Sequence, residues 1–238
     1  MKTVNFQYMP DAAAGGQGGS NKKPVQTKII PQADIDFKDV SATVAEAWMI
    51  NPAITLVWKK SGDFKNEVQL FGTTLEGRIE TGSLRPGQTL ILKKLDDEID
   101  AAVGDVKTYI EKKYKKANAI AQFARFGITK TDSGYYLGRD RNNRNQALSQ
   151  MVKAIAAEGF ANEEFGTAFW TGMQTTYAAA LKQAGITTGD VSGKVATKNE
   201  QKKAITKVLS ALLFVLRGNY PETYKEIYRQ WGWKKESY

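Results

Sequence analysis

Three arginines, Arg139, Arg141 and Arg144, crowd the stretch GRDRNNRNQAL, where a polar turn runs into an apolar-periodic helix. Cations at a helix N-terminus oppose the macrodipole, which favours negative charge there, so something else must compensate them. Two chemistries would do so. With the free amides of the helix start, the guanidinium groups would hold a phosphate or a nucleic-acid backbone. Alternatively, Asp140 caps the helix and the arginines pair with carboxylates of a neighbouring helix, a contact that the planar guanidinium makes readily. Asp96, Asp97, Glu98 and Asp100 lie in one run and supply such carboxylates. Arg139, Arg141 and Arg144 are therefore expected to be ion-pairing or anion-binding, and pairing is the simpler reading.

Little other chemistry is on offer. The 238 residues include no cysteine and no histidine, which removes disulfides, thiolate and imidazole metal ligands, cysteine nucleophiles and histidine acid–base catalysis together. The remaining carboxylates, lysines, serines and tyrosines form no acid–base constellation, so no enzyme, cofactor or metal centre is expected. The N-terminal stretch has no apolar run of signal-peptide length, and no segment approaches the roughly 18 to 20 apolar residues that span a bilayer. A cytoplasmic, non-membrane product is expected. The net charge of +9 is compatible with an acidic partner such as nucleic acid without requiring one.

The lysine run in KKYKKANAIAQFAR, interleaved with Tyr114 and Phe123, has the types needed to neutralise a backbone and stack on bases. Phe123 and Phe126 nevertheless fall on the apolar side of their local helix, so a solvated charged face is favoured. The helix before this run is acidic early, from Asp96 to Asp105, and basic late, from Lys107 to Lys116. That order complements its dipole; it would equally serve head-to-tail contact between subunits. At the C-terminus, Trp233 and Tyr238 lie beyond a stop at Gly232 and have no evident intrachain register, as interface aromatics would.

The elements that must position these groups are helical. Residues 1–40 read as an extended arm, because AAAGGQGGSNKKP has linker composition. Two apolar pieces flank it, VNFQYM and KIIPQADIDF, the second alternating partly as an edge strand would. Residues 41–238 read as one helical bundle domain. A short helix closes at Asn51-Pro52. A long one carries Val57, Phe64, Val68, Phe71, Leu75 and Ile79 to near Gly82. A thirty-residue helix opens at Pro86, with Leu92, Leu95, Ile99 and Val106 along one stripe. Further helices are expected over residues 140–157, 163–184 and 198–217, with ITTGDVSG as a loop between the last two, and a short one from Pro221 to near Trp231. The expected fold class is all-α: an elongated antiparallel helical bundle with an extended N-terminal arm.

Two stretches carry a resemblance. GRDRNNRNQAL and NYPETYKEIYRQWGWKKESY resemble an uncharacterised family of helical bacterial proteins, mainly from Bacteroidota, in which an Asp-Arg pair and a further Arg precede an Ala-Leu helix. The family closes on Asn-Tyr-Pro, Trp-Gly-aromatic and a lysine-rich tail ending in Tyr. The matching positions are Asp140, Arg141, Arg144, Asn219, Tyr220, Pro221, Trp231, Gly232, Trp233 and Tyr238. Gly138-Arg139 departs from a Pro-containing lead-in, and Ser237 stands where Lys is usual. The resemblance covers about residues 50–238; it implies the helical fold and no activity.

The expected function is that of a self-assembling structural subunit of a filament, tube or other homo-oligomer, its arm docking on neighbouring copies. Val4, Phe6, Tyr8, Ile29, Ile30, Ile35 and Phe37 of the arm, with Trp233 and Tyr238 of the tail, are the expected interface residues. A nucleic-acid or polyanion-binding helical protein is the alternative.

Overall fold

The computed structural model describes residues 29–233. Seven α-helices follow in order: α1 (Asp34–Ile50), α2 (Ser61–Ser83), α3 (Arg85–Tyr114), α4 (Lys116–Gln122), α5 (Arg141–Ala157), α6 (Thr167–Asn219) and α7 (Tyr224–Gln230). A 3-10 turn, Phe123–Phe126, follows α4 and leads into two strands, β1 (Ile128–Thr131) and β2 (Gly134–Leu137). The fold is predominantly α-helical, and the hairpin is the exception to the all-α expectation. Its strands pair antiparallel with Ile128 opposite Leu137, both buried. Each strand has only four residues, too short for a period-2 pattern to stand out from its neighbours.

The spine is α6. Its 53 residues correspond to about 80 Å at 1.5 Å per residue. The segment ITTGDVSG, expected as a loop, is helical throughout, so one helix replaces the two anticipated. Tertiary packing overrides the poor local propensity here: Thr187 and Val191 face inward and are 2% and 8% exposed.

α2 and α3 run one after the other along this spine, antiparallel to it. Lys194 bonds the carbonyl of Gly77 and the hydroxyl of Thr81, Gln88 bonds Thr187, and Tyr177 bonds Asp96. Rising numbers on one side therefore meet falling numbers on the other. The helices build two separate cores at the two ends of α6. One joins Leu92, Ile99, Val106 and Ile110 of α3, the hairpin, α5, and Trp170, Met173 and Tyr177 of α6. The other joins Phe37, Val44 and Trp48 of α1, Phe64, Val68 and Phe71 of α2, Ile205, Leu209 and Leu212 of α6, and the C-terminal aromatics. Between them lies a waist of two helices.

Residues 34–40, expected in the arm, are helical. α1 starts at Asp34, so a boundary at residue 40 falls inside a helix. The partial alternation of KIIPQADIDF is not a strand: Phe37, Val40, Val44 and Trp48 continue one buried helical stripe upstream, and Asp34 and Asp36 suit a helix N-terminus. At the other margin of the loop that follows α1, Val57 is fully exposed and lies outside α2.

Candidate functional site

The arginine-rich stretch forms a joint where α3, α5, α6 and the hairpin meet. Gly138, just after β2, adopts φ +44°, and a Cβ there would lie 2.9 Å from the backbone nitrogen of Arg144. Only glycine lets the chain turn this tightly into α5. Asp140 then caps the helix, its carboxylate accepting from the Asn143 amide at 3.0 Å. One turn on, Arg144 points into the protein and is 3% exposed. Its Nε donates to the Gly138 carbonyl at 2.7 Å, and one terminal nitrogen donates to the Asp96 carbonyl at 3.1 Å and Oδ1 at 2.9 Å. The other terminal nitrogen reaches Asp100 Oδ1 at 2.8 Å. Asp96 and Asp100 are one turn apart on α3, which suits a planar fork.

The fully buried Tyr177 of α6 completes the joint by donating its hydroxyl to Asp96 Oδ1 at 3.0 Å. Burial first, and then the bond to the Asp96 carboxylate, push its phenol up to about 12; the charges of Arg144 and Arg141 act weakly the other way. Near neutral pH the tyrosine therefore keeps its proton and donates it to Asp96. This arrangement orients helices. Arg144 directs its Nε and both terminal nitrogens at partners inside the chain.

The other two arginines behave differently. Arg139 is exposed and its guanidinium stacks 4.0 Å from the ring centroid of Tyr136 on β2. Lys107 approaches the same ring at 5.7 Å while bonding the Tyr135 carbonyl. Arg141 is exposed on the first turn of α5. Among the described residues, neither Arg139 nor Arg141 lies within ion-pair distance of a carboxylate.

The expected interface residues divide three ways. Val4, Phe6, Tyr8 and Tyr238 lie outside the described residues. Ile29 and Ile30 are half-buried against the α1–α2 core, and Ile35 is 62% exposed. Phe37 and Trp233 are corrections, since both belong to the chain's own core. Phe37 is completely buried and meets Phe71 edge-to-face at 5.4 Å. Trp233 is 3% exposed, stacked on Trp231 at 6.0 Å and edge-on to Tyr228 at 5.5 Å. Gly232, at φ +95°, makes this register: a Cβ there would fall 2.5 Å from the Thr43 methyl. The glycine that reads as a stop folds the tail back instead.

Two further charged clusters have weak sequence signals. Asp34 receives Lys198 at 2.5 Å and Lys202 at 2.7 Å, cations spaced four apart on α6. Burial alone would raise the Asp34 carboxyl, but the two ammonium groups outweigh it and hold it below the usual range. Glu158, just after α5, takes Lys113 at 2.7 Å, Arg125 at 2.5 Å and the Tyr114 hydroxyl. The bonds from Lys113 and Tyr114 hold that carboxyl low. Phe123 and Phe126 of the same region are 4% and 0% exposed, so they offer no stacking surface to bases.

Among the described residues, no three His, Cys, Asp or Glu side chains gather as a metal site would require, and no helix is long and apolar enough to cross a membrane. Compared with family models, curated proteins and solved structures, the chain matches none of them.

Proposed function

We propose that the protein is a non-enzymatic structural subunit that assembles with copies of itself, its N-terminal arm reaching onto the waist of a neighbour. The observation that carries this reading is apolar surface left uncovered at the waist. Ile79, Leu84, Leu90, Ile91 and Ile186 are 46–54% exposed, and all lie on the two-helix stretch between the cores. Helices bury apolar surface against a second layer, and here the chain supplies none among its described residues.

The arm meets the fold beside this stretch. Lys202 bonds the Gln32 carbonyl, and Lys198 and Lys202 hold Asp34, which ties the chain to α6 about 17 to 23 Å from Thr187 at 1.5 Å per residue. The 28 preceding residues reach up to about 90 Å when extended. They include the apolar piece VNFQYM. An extended segment exchanged between identical subunits links them at low cost. The exposed Arg139 and Arg141 favour the second reading, a polyanion-binding surface, because among the described residues, unlike Arg144, they have no carboxylate within ion-pair distance.

Light scattering at low and high salt, with and without added nucleic acid, tests both readings. Particles much larger than 26.3 kDa without nucleic acid support self-assembly. A monomer that binds nucleic acid with steep salt dependence supports the alternative and refutes the first reading.

A further inference from the structure

We infer that the waist is a hinge about which the two lobes pivot. Three features coincide at one level of the molecule. First, α6 carries Gly185, Gly189 and Gly193 here, with Ile186, Thr187, Thr188 and Val191 among them. Glycine and β-branched residues are poor helix formers, glycine the worst after proline. None of the three glycines is required by packing, because a Cβ at each would meet nothing within 4 Å. A straight helix thus pays for flexible positions and gets no close approach in return; a bend or local unwinding is the state in which they are useful.

Second, the antiparallel partner is broken opposite these glycines. α2 ends at Ser83 and α3 begins at Arg85, in the sequence GSLRPG, where Pro86 lacks an amide to donate. The bonds Lys194 to Thr81 and Gln88 to Thr187 set residues 81–88 against residues 187–194, so the break at Leu84 faces Gly189 and Gly193, with Gly185 just beyond. The two segments are joined here by a few polar bonds and not by a packed core.

Third, the hydrophobic cores stop short of the waist. One core ends at Leu92 and Ala184, the other at Leu75 and Ile205. Val191 is buried yet belongs to neither. Bending here disturbs a few polar bonds and the buried side chains of Thr187 and Val191, whereas bending within a lobe would open a packed core. Stability is lowest where apolar contacts are fewest, and hinges are drawn from such places. The hinge stands whether or not the protein assembles.

The test uses the full chain with spin labels at Thr175→Cys and Lys203→Cys, exposed positions on α6 on either side of the waist. With no native cysteine, only these sites react. A rigid helix sets them about 42 Å apart at 1.5 Å per residue. Dilution with unlabelled protein removes distances between subunits. The hinge predicts a broad distance distribution with a population shorter than this. The triple variant Gly185→Ala, Gly189→Ala, Gly193→Ala, which has room for each methyl, narrows it to the rigid value. It also slows amide exchange over residues 183–195 on the order of a hundredfold. Gly172→Ala and Gly218→Ala, in the same helix but outside the waist and equally unobstructed, leave the distribution unchanged. A parent distribution as narrow as that of the triple variant, a triple variant that stays broad, or equal narrowing by the two control substitutions overturns the hinge.

Discussion

Replacing Arg144 with alanine removes the connection among α3, α5, α6 and the β2 exit, and its cost can be worked from the geometry. Four bonds go at once: to the carbonyls of Gly138 and Asp96 and to the carboxylates of Asp96 and Asp100. Breaking a fully buried ion pair costs about 3 to 5 kcal/mol, because the partner charge is left uncompensated. The Asp96 and Asp100 side chains are 29% and 40% exposed, so water recovers part of that loss and solvent screens the attraction. The two carbonyls lose a charged donor, and the buried guanidinium volume becomes a cavity. The balance is roughly 2 to 4 kcal/mol, which lowers Tm by about 5 to 15 °C in a chain of this size. Arg144→Lys keeps the charge but loses the fork, and falls between parent and alanine variant. Urea unfolding and thermal melts measure both. Adding Asp100→Asn to Arg144→Ala should cost less than Asp100→Asn costs the parent, by at least about 0.5 kcal/mol. An Arg144→Ala variant within about 0.5 kcal/mol of the parent would refute the joint.

Leu209→Ala, at a fully buried position of the α1–α2 core, is expected to cost about 2 to 5 kcal/mol by cavity formation, read from denaturant midpoints at constant slope. Gly138→Ala forces a side chain into positive φ and against the Arg144 backbone; about 1 to 3 kcal/mol of destabilisation is expected, and an unchanged melt would mean that the turn into α5 is built differently. Asp34 and Glu158 both have carboxyls held below their unfolded values. Their stabilisation is therefore complete above the unfolded carboxyl range and is lost as pH falls below about 4. Asp34→Asn should flatten the acid side of a Tm against pH profile, and an identical profile would show that the Lys198 and Lys202 pairs contribute nothing.

The parts of the fold legible in sequence are those where one periodic face meets one core. The stripe from Leu92 to Val106 located α3 to within a residue at its start, because Pro86 marks that start and the apolar spacing is unbroken. Asp140 and the run from Asp96 to Asp100 could be read as cap and partners because their chemistry is local or concentrated. What escaped depends on distant packing. Glycines in ITTGDVSG signal a break, and only the opposing helix explains why Thr187 and Val191 are buried in a continuous one. Phe37 reads as part of an arm until Phe71, 34 positions later, is known to lie against its ring. Trp233 reads as a free aromatic because nothing nearby in sequence reveals that Gly232 turns the tail back past Thr43. Glu158 has no local pattern at all; its three partners come from the end of α3 and the turn after α4.

Removing residues 1–40, the whole arm as sequence delimits it, would also delete Phe37 and the Asp34 pairs, so the informative truncation ends at residue 28. A complementation measurement then tests the central claim most directly. One variant lacks residues 1–28; the other keeps the arm and carries Leu90→Glu and Ile91→Glu on the exposed waist of α3. Light scattering should find each folded and unable to form large particles alone. Mixed in equal amounts they should form a dimer and nothing larger, since one supplies the only arm and the other the only intact waist. Two variants that remain monomers when mixed, or a truncated chain that assembles as the parent does, would contradict docking of the arm on a neighbouring waist.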